Sequence, residues 1–253
     1  MHGRTDGDGL LSARFLAVCT CAALYFFGLN MTLPVLPPFV EDDLGGTKLQ
    51  VGIAVSSFGI AAAFVRPFVG PLGDRRGRRF LVVGGTVLAG SATLATALAE
   101  TIPAVVGLRA IGGLGEAAVF VGVASSVQDL TPSHRRAEAA SYFSLTIYGT
   151  LLIGPVTGGW LRDQWGTDAV WIAAGAAALA AALVGLRSPG APETAPPPPT
   201  LKRLIHPAAL RPGLMLFSGL LGYIGFLAFA VIHAEEVGIA HPERVFVVFA
   251  VVV

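Results

Sequence analysis

Gly70-Pro71-Leu72-Gly73-Asp74-Arg75-Arg76-Gly77-Arg78-Arg79 lies between two long apolar runs. Four arginines and one aspartate occupy a turn that one helix enters and another leaves. A water-soluble domain has little use for such a turn. A chain threaded repeatedly through lipid does, because a cationic loop sets orientation and can hold neighbouring helices together at the water boundary.

The rest of the chain fits that reading. Charged residues make up 13% of the sequence, against about 25% in soluble domains. They are clustered, and between the clusters run apolar segments of about 20 residues, long enough for a hydrocarbon core of about 30 Å. A spanning backbone must satisfy its own hydrogen bonds, so the expected fold is all-α, a polytopic membrane bundle. The rival is a soluble protein with buried helices, and too many runs are too long for it. Spans are expected at 14–38, 50–72, 79–99, 103–128, 137–161, 169–187 and 212–234, with an eighth beginning near 243. Residues 1–13 read as a disordered tail and not as a cleaved signal, since the first apolar run is too long. Residues 14–187 form a six-helix domain, the Pro-rich stretch 188–211 an extended, hydrated linker, and 212–253 the incomplete start of a second transmembrane domain.

Loop charges assign the sides. One side carries Arg4, Arg14, Arg75, Arg76, Arg78, Arg79, Arg135, Arg136, Arg187, Lys202, Arg203 and Arg211; the other carries Lys48, Arg162 and Arg244. The first is the cytoplasm by the positive-inside rule, which puts the N-terminus inside a cell membrane. Arg66 and Arg109 lie within spans.

Several function classes fall away. The net charge of +1 implies no nucleic-acid partner. Cys19 and Cys21 sit on one helix and point about 160° apart, so neither a disulfide nor a metal pair follows. The histidines at 2, 134, 206, 233 and 241 are scattered, no metal-ligand spacing occurs, and no phosphate loop supports ATP drive. No cofactor and no catalytic residues are expected, and the chain does not read as an enzyme.

The loop matches G-x-L-(A/G)-D-R-x-G-R-(R/K) at every fixed position. Helix 4 carries Arg109-Ala110-Ile111-Gly112-Gly113-Leu114-Gly115, helix 5 carries Gly154-Pro155-Val156-Thr157-Gly158-Gly159, and helix 1 ends Leu33-Pro34-Val35-Leu36-Pro37. In order and spacing these segments resemble the major facilitator superfamily, in its branch of drug:proton antiporters, over all six N-terminal helices. Thr150 stands where the antiporter motif has a glycine, and Asn30 where some proton-coupled exporters carry an acid. The resemblance implies about twelve helices, so this chain reads as C-terminally truncated. It also implies that Gly70, Gly73, Asp74, Arg75, Gly77, Arg78 and the further acid Asp129 form a gate latch on the cytoplasmic face. The bland reading is that the arginines only set topology and bind anionic lipid.

Other residues have their own two readings. Gly154, Gly158 and Gly159 make a small-residue face, and Pro155 removes the bond to the carbonyl of Leu151 and bends helix 5. This is either a hinge or plain packing. Arg109 and Glu116, seven apart, share one face of helix 4. Burial disfavours a carboxylate's charge and a nearby arginine favours it, so a change in their separation moves a proton. They are proton-coupling candidates, or a structural pair. Arg66 lines a cavity, or it snorkels or pairs. Tyr25, Asn30, Tyr148 and Tyr223 are weaker cavity candidates, and His233, Glu235 and Glu236 read as a solvated helix end. The function implied is secondary active transport of a small organic molecule, as proton-coupled efflux by alternating access. The alternatives are a sugar or metabolite uniporter or importer, or a truncated, non-transporting membrane module. The expected partners are the substrate, protons and the lipid bilayer, with a monomer when complete.

Overall fold

A computed structural model describes residues 12–190 and 207–239. The tail 1–11, the proline run in 191–206 and the eighth span near 243 lie outside the described residues, as do Arg4, Lys202, Arg203 and Arg244. The helices are α1 (Ala13–Met31), α2 (Lys48–Arg76), α3 (Arg78–Thr96), α4 (Ile102–Asp129), α5 (Arg136–Trp165), α6 (Thr167–Gly185) and α7 (Pro207–Glu236). The described residues contain no strand. Helices α1 to α6 are long and apolar enough to cross a membrane. The protein is a multi-pass helical membrane bundle.

Local chemistry explains most boundaries. Ser12 caps α1 by accepting from the Phe15 amide. Thr47 and Gln50 form a capping box at the start of α2, a T-x-x-Q signal visible in the sequence. Gly77, at φ +91°, separates α2 from α3 with a backbone that other residues rarely adopt.

Two boundaries depart from expectation. The first span is not one helix from 14 to 38. It stops at Met31, because Pro34 has no N–H for the Asn30 carbonyl, which accepts from Leu33 instead. A short helix, Leu36–Pro38, and a π-helical turn, Phe39–Asp43, complete the segment. Helix α7 begins at Pro207, inside the stretch assigned to the linker, with proline in the first turn where its missing N–H costs nothing.

The packing has an internal symmetry. The main seams are α3 with α4, α2 with α4, α3 with α6, α1 with α6 and α1 with α5. Exchanging α1 for α4, α2 for α5 and α3 for α6 maps this set onto itself. Three spans separate the repeats, so the second runs in the opposite sense, as expected for inverted repeats. Small residues make the seams close. A Cβ on Gly115 would lie 2.7 Å from the Gly85 carbonyl, and one on Gly175 3.0 Å from that of Gly90.

Two apolar clusters stack along the bundle axis. One gathers Phe15, Val18, Cys21, Val82, Val123 and Phe143, and the other Met31, Val35, Phe39, Val51, Val105 and Trp171. Cys21 donates to the Ala181 carbonyl and both cysteines are free. The loop arginines and Arg135 lie at one end of the bundle. Lys48 and Arg162 lie at the other, where Arg162 faces Asp42 at 3.8 Å and Thr167 bonds Asp43. The charge asymmetry is therefore real in space.

Candidate functional site

At the arginine end, Arg78 joins three helices. Its Nη1 donates to Asp74 Oδ1 at 2.7 Å and its Nε to Asp129 Oδ2 at 3.0 Å. Asp74 is on α2, Arg78 opens α3 and Asp129 closes α4. Gly73 makes room for this, since a Cβ there would meet the Leu81 side chain and lie 3.2 Å from Arg78 Nη1. The predicted trio is thus assembled. Gly70 has open space around it, Arg75 is exposed, and Arg76 stacks on Phe80. Both aspartates are nearly half exposed, so each pair contributes about 0.2–1 kcal/mol. Arg78→Gln removes both at once. We expect a thermal stability loss of about 0.4–2 kcal/mol, twice that of a single pair. A double-mutant cycle with Asp129→Asn should give a coupling below about 1 kcal/mol, read from unfolding midpoints.

Within the membrane half, Glu116 is 6% exposed and receives both its contacts from one group. Arg66 Nη2 donates to Oε1 at 3.0 Å and to Oε2 at 3.1 Å. The Arg66 guanidinium also lies over the Phe120 ring, 5.1 Å from its centre. Its side chain remains 46% exposed, so the ion pair has one closed partner and one open one. The expected pairing of Arg109 with Glu116 is not made. Arg109 turns instead onto the face of Phe58, 4.4 Å from the ring centre, and its Nε has no hydrogen-bond partner among the described residues. Helix α2 runs beside α4 in the same direction, bringing Phe58 level with Arg109 and Arg66 level with Glu116. A partner from the next helix reaches Glu116 more directly than one about 10 Å along the same helix. The available signal was a cation, Arg66, within one span and an acid, Glu116, within another.

Tyr25 is buried beside this group, and its hydroxyl lacks a hydrogen-bond partner among the described residues while lying within electrostatic reach of Glu116 and Arg109. Rings continue from it. Tyr25 meets Phe26 edge-on at 5.2 Å, Phe26 meets Phe120 at 6.4 Å, and Phe120 meets Phe143 at 6.1 Å. Sequence reasoning misses Phe58, Phe120 and Phe143, because phenylalanines in spans look alike.

Asn30 donates through Nδ2 to Thr150 Oγ1 at 3.0 Å. The two positions that depart from the family pattern therefore satisfy each other across the α1–α5 seam. Gly154 and Gly158 lie against Asn30 and Met31, Pro155 is buried, and Gly159 is half-buried. Tyr148 is exposed and Tyr223 half-buried, and they lie within electrostatic reach of each other between α5 and α7. At the far end, Lys48 pairs with Glu236, which also faces His233 at 3.8 Å. The sequence reads there as a solvated terminus; the structure adds an α2–α7 ion pair. The side chain of Glu235 lies outside the described residues. No group of metal-ligating residues occurs among the described residues.

This architecture agrees with comparisons to known proteins. The chain is 30% identical over 140 residues to the quinolone resistance protein NorA of Staphylococcus aureus, covering 55% of this chain and 36% of that one. It is 28% identical over 225 residues to multidrug resistance protein 1 of Bacillus subtilis, covering 88% and 55%. The chain thus spans between about a third and just over half of these relatives. Among solved structures, it is similar in fold to an inward-facing bacterial homolog of the human lysosomal transporter Spinster, with TM-score 0.76, 18% identity, and coverage of 96% and 59%. The nucleoside transporter NupG gives TM-score 0.69 at 17% identity, with coverage of 94% and 64%. The profile of the Major Facilitator Superfamily, a family of transporters and not enzymes, matches residues 18–253, and the chain belongs to that family.

Proposed function

We propose that this chain provides the six-helix half and the opening helix of the second half of a transporter that exports small organic molecules in exchange for protons. The observation that carries this is the Arg66–Glu116 pair: a carboxylate enclosed within a span, bridged by a guanidinium that is half open. Burial disfavours the carboxylate's charge and the guanidinium favours it, so separating the two favours proton uptake. An anionic substrate group, or rocking of one half against the other, competes for Arg66 and links proton binding to access. The Arg78 network holds one arrangement at the arginine end, and the Lys48–Glu236 pair joins the halves at the other. Tyr25, Asn30, Tyr148 and Tyr223 are the proposed contacts for substrate near the midplane, with Pro155 as the proposed hinge. The drug-resistance names of the relatives support a hydrophobic drug-like substrate class.

The test is flux in everted membrane vesicles that carry the complete transporter to which this chain contributes, given a quinolone panel and a pH-sensitive dye. Substrate addition should release protons from energised vesicles. Substrate flux with no proton flux would instead indicate a uniporter, and neither flux a non-transporting module.

The arginine end faces the cytoplasm in this proposal, because loop Lys and Arg concentrate there. A cysteine placed at exposed Arg136 should react with a membrane-impermeant maleimide in everted vesicles and stay unlabelled in intact cells. Labelling of intact cells would reverse the orientation.

A further inference from the structure

A second charged site lies away from the Arg66–Glu116 pair, at the arginine end on the flank of the bundle. A cavity of about 500 Å³ opens there between the first turn of α1, the first turn of α3 and the segment that follows α6. Arg14, Arg79 and Arg187 line it, and no carboxylate is among its described lining residues. None of the three arginines has an ion-pair partner among the described residues, in contrast with Arg78 one position away.

The segment after α6 is fixed in place to build this wall. Arg79 donates its main-chain N–H to the Pro189 carbonyl at 2.8 Å and its Nε to the Ser188 carbonyl at 3.1 Å. The first of these uses a donor that the start of α3 leaves unsatisfied within the helix. Residues 188–190 were expected to be hydrated linker, yet Ser188 is 1% exposed. The residue lines the cavity, and its hydroxyl is buried with no hydrogen-bond partner among the described residues. A buried hydroxyl without a partner is costly, and this one belongs to a wall that also carries three arginines without an ion-pair partner among the described residues. The α1 and α3 first turns add the positive ends of two helix dipoles.

We infer that this cavity binds a phosphate-bearing anion, with Ser188 donating to a phosphate oxygen and the arginines balancing its charge. The chemistry is that of a phosphate ester or free phosphate: tetrahedral, anionic, rich in acceptors and suited to guanidinium forks. Leu183 and Leu186 are exposed just before Arg187, at the end of α6, which places an apolar surface beside the charged one. That pairing suits a phospholipid whose headgroup enters the cavity while its acyl chains lie along α6.

Native mass spectrometry of the purified chain, titrated with phosphatidylglycerol, is the test. The expected result is one tightly retained lipid, bound about 10-fold more weakly by the Arg14→Gln/Arg187→Gln variant, as loss of about 1.4 kcal/mol would give. Ser188→Ala should weaken it about threefold, and Arg136→Gln, at the same end but outside the cavity, should not. Those two variants keep the test meaningful should the double variant misfold. A parallel titration with inorganic phosphate separates the sources. A thermal shift by phosphate, lost in Ser188→Ala, with no site-dependent lipid retention, identifies free phosphate as the ligand. Equal lipid retention by all four proteins, with no phosphate shift that depends on Ser188, overturns the site.

Discussion

In the complete transporter proposed above, Glu116→Gln is expected to reduce proton-driven substrate movement to the level of vesicles lacking the protein, while downhill movement of the same substrate persists. The reasoning starts from shape. Glutamine fills the same space on α4 and still accepts one bond from Arg66, so the helix packing around Gly113 and Gly115 is undisturbed. What it cannot do is alternate between a charged and a neutral form. A hydrogen bond to a charged group is worth roughly 1.5–3 kcal/mol, and Arg66 is half open to water, which compensates it when the carboxylate is gone. The folded protein is expected to survive and the proposed coupling to be lost. The complementary change, Arg66→Gln, acts the other way. It leaves a carboxylate almost wholly enclosed with no cation bonded to it. Breaking a fully buried pair in this sense costs about 3–5 kcal/mol, and the exposure of Arg66 places this one below that range. Thermal unfolding should therefore rank Arg66→Gln below Glu116→Gln in stability, while flux in the two variants is compared at equal protein. Uphill flux unchanged in Glu116→Gln rejects the coupling role outright.

The contrast between the two charged networks shows what a sequence can disclose here. Asp74, Arg78 and Asp129 could be grouped beforehand, because the family resemblance of the loop points to a latch there and each of the three lies at a helix end. The partner of Glu116 could not. Reading one helix at a time offers only residues on its own face, and Arg109 was the available cation. The choice between helices is made by close seams, at positions such as Gly113 against Phe58, and those seams depend on which glycines meet which backbones. A count of small residues shows that a face is smooth, but not what lies against it. Asn30 and Thr150 make the same point. Each looks like a departure from a motif, and only the α1–α5 seam shows that one answers the other. The spans and the gathering of positive charge at one end of the bundle were legible because they follow from length and charge, which act along the chain. Ser188 was not, because a Pro- and Gly-rich stretch reads as solvent until the bare start of α3 is seen to need acceptors.

Gly158→Ala prevents assembly of the bundle or lowers its stability by more than about 3 kcal/mol, beyond the roughly 1–3 kcal/mol usual for overpacking. The added methyl would fall on the carbonyl of Met31, which is main chain and fixed at the end of α1. A side chain could rotate away; this group cannot. Relief requires α5 to move off α1, and that strains the Asn30–Thr150 bond and the approach of Gly154 to Asn30 in the same seam. The pseudo-twofold supplies a second case. Gly113 lies against the Phe58 carbonyl in the α2–α4 seam, which the symmetry relates to α5–α1, so Gly113→Ala should be damaging to a similar degree. Gly149, earlier on α5 than Gly158, has nothing within 4 Å of where its Cβ would lie. There the same exchange only removes backbone freedom, and helix propensity favours alanine by about 0.8–1 kcal/mol. One substitution thus changes sign along one helix. Melting curves of the three purified variants test this directly: a loss at Gly113 and Gly158 with no loss at Gly149 is the result that contact with a neighbouring backbone requires. Equal effects at all three would mean that chain stiffness alone governs the helix and that the α1–α5 seam is not as close as described.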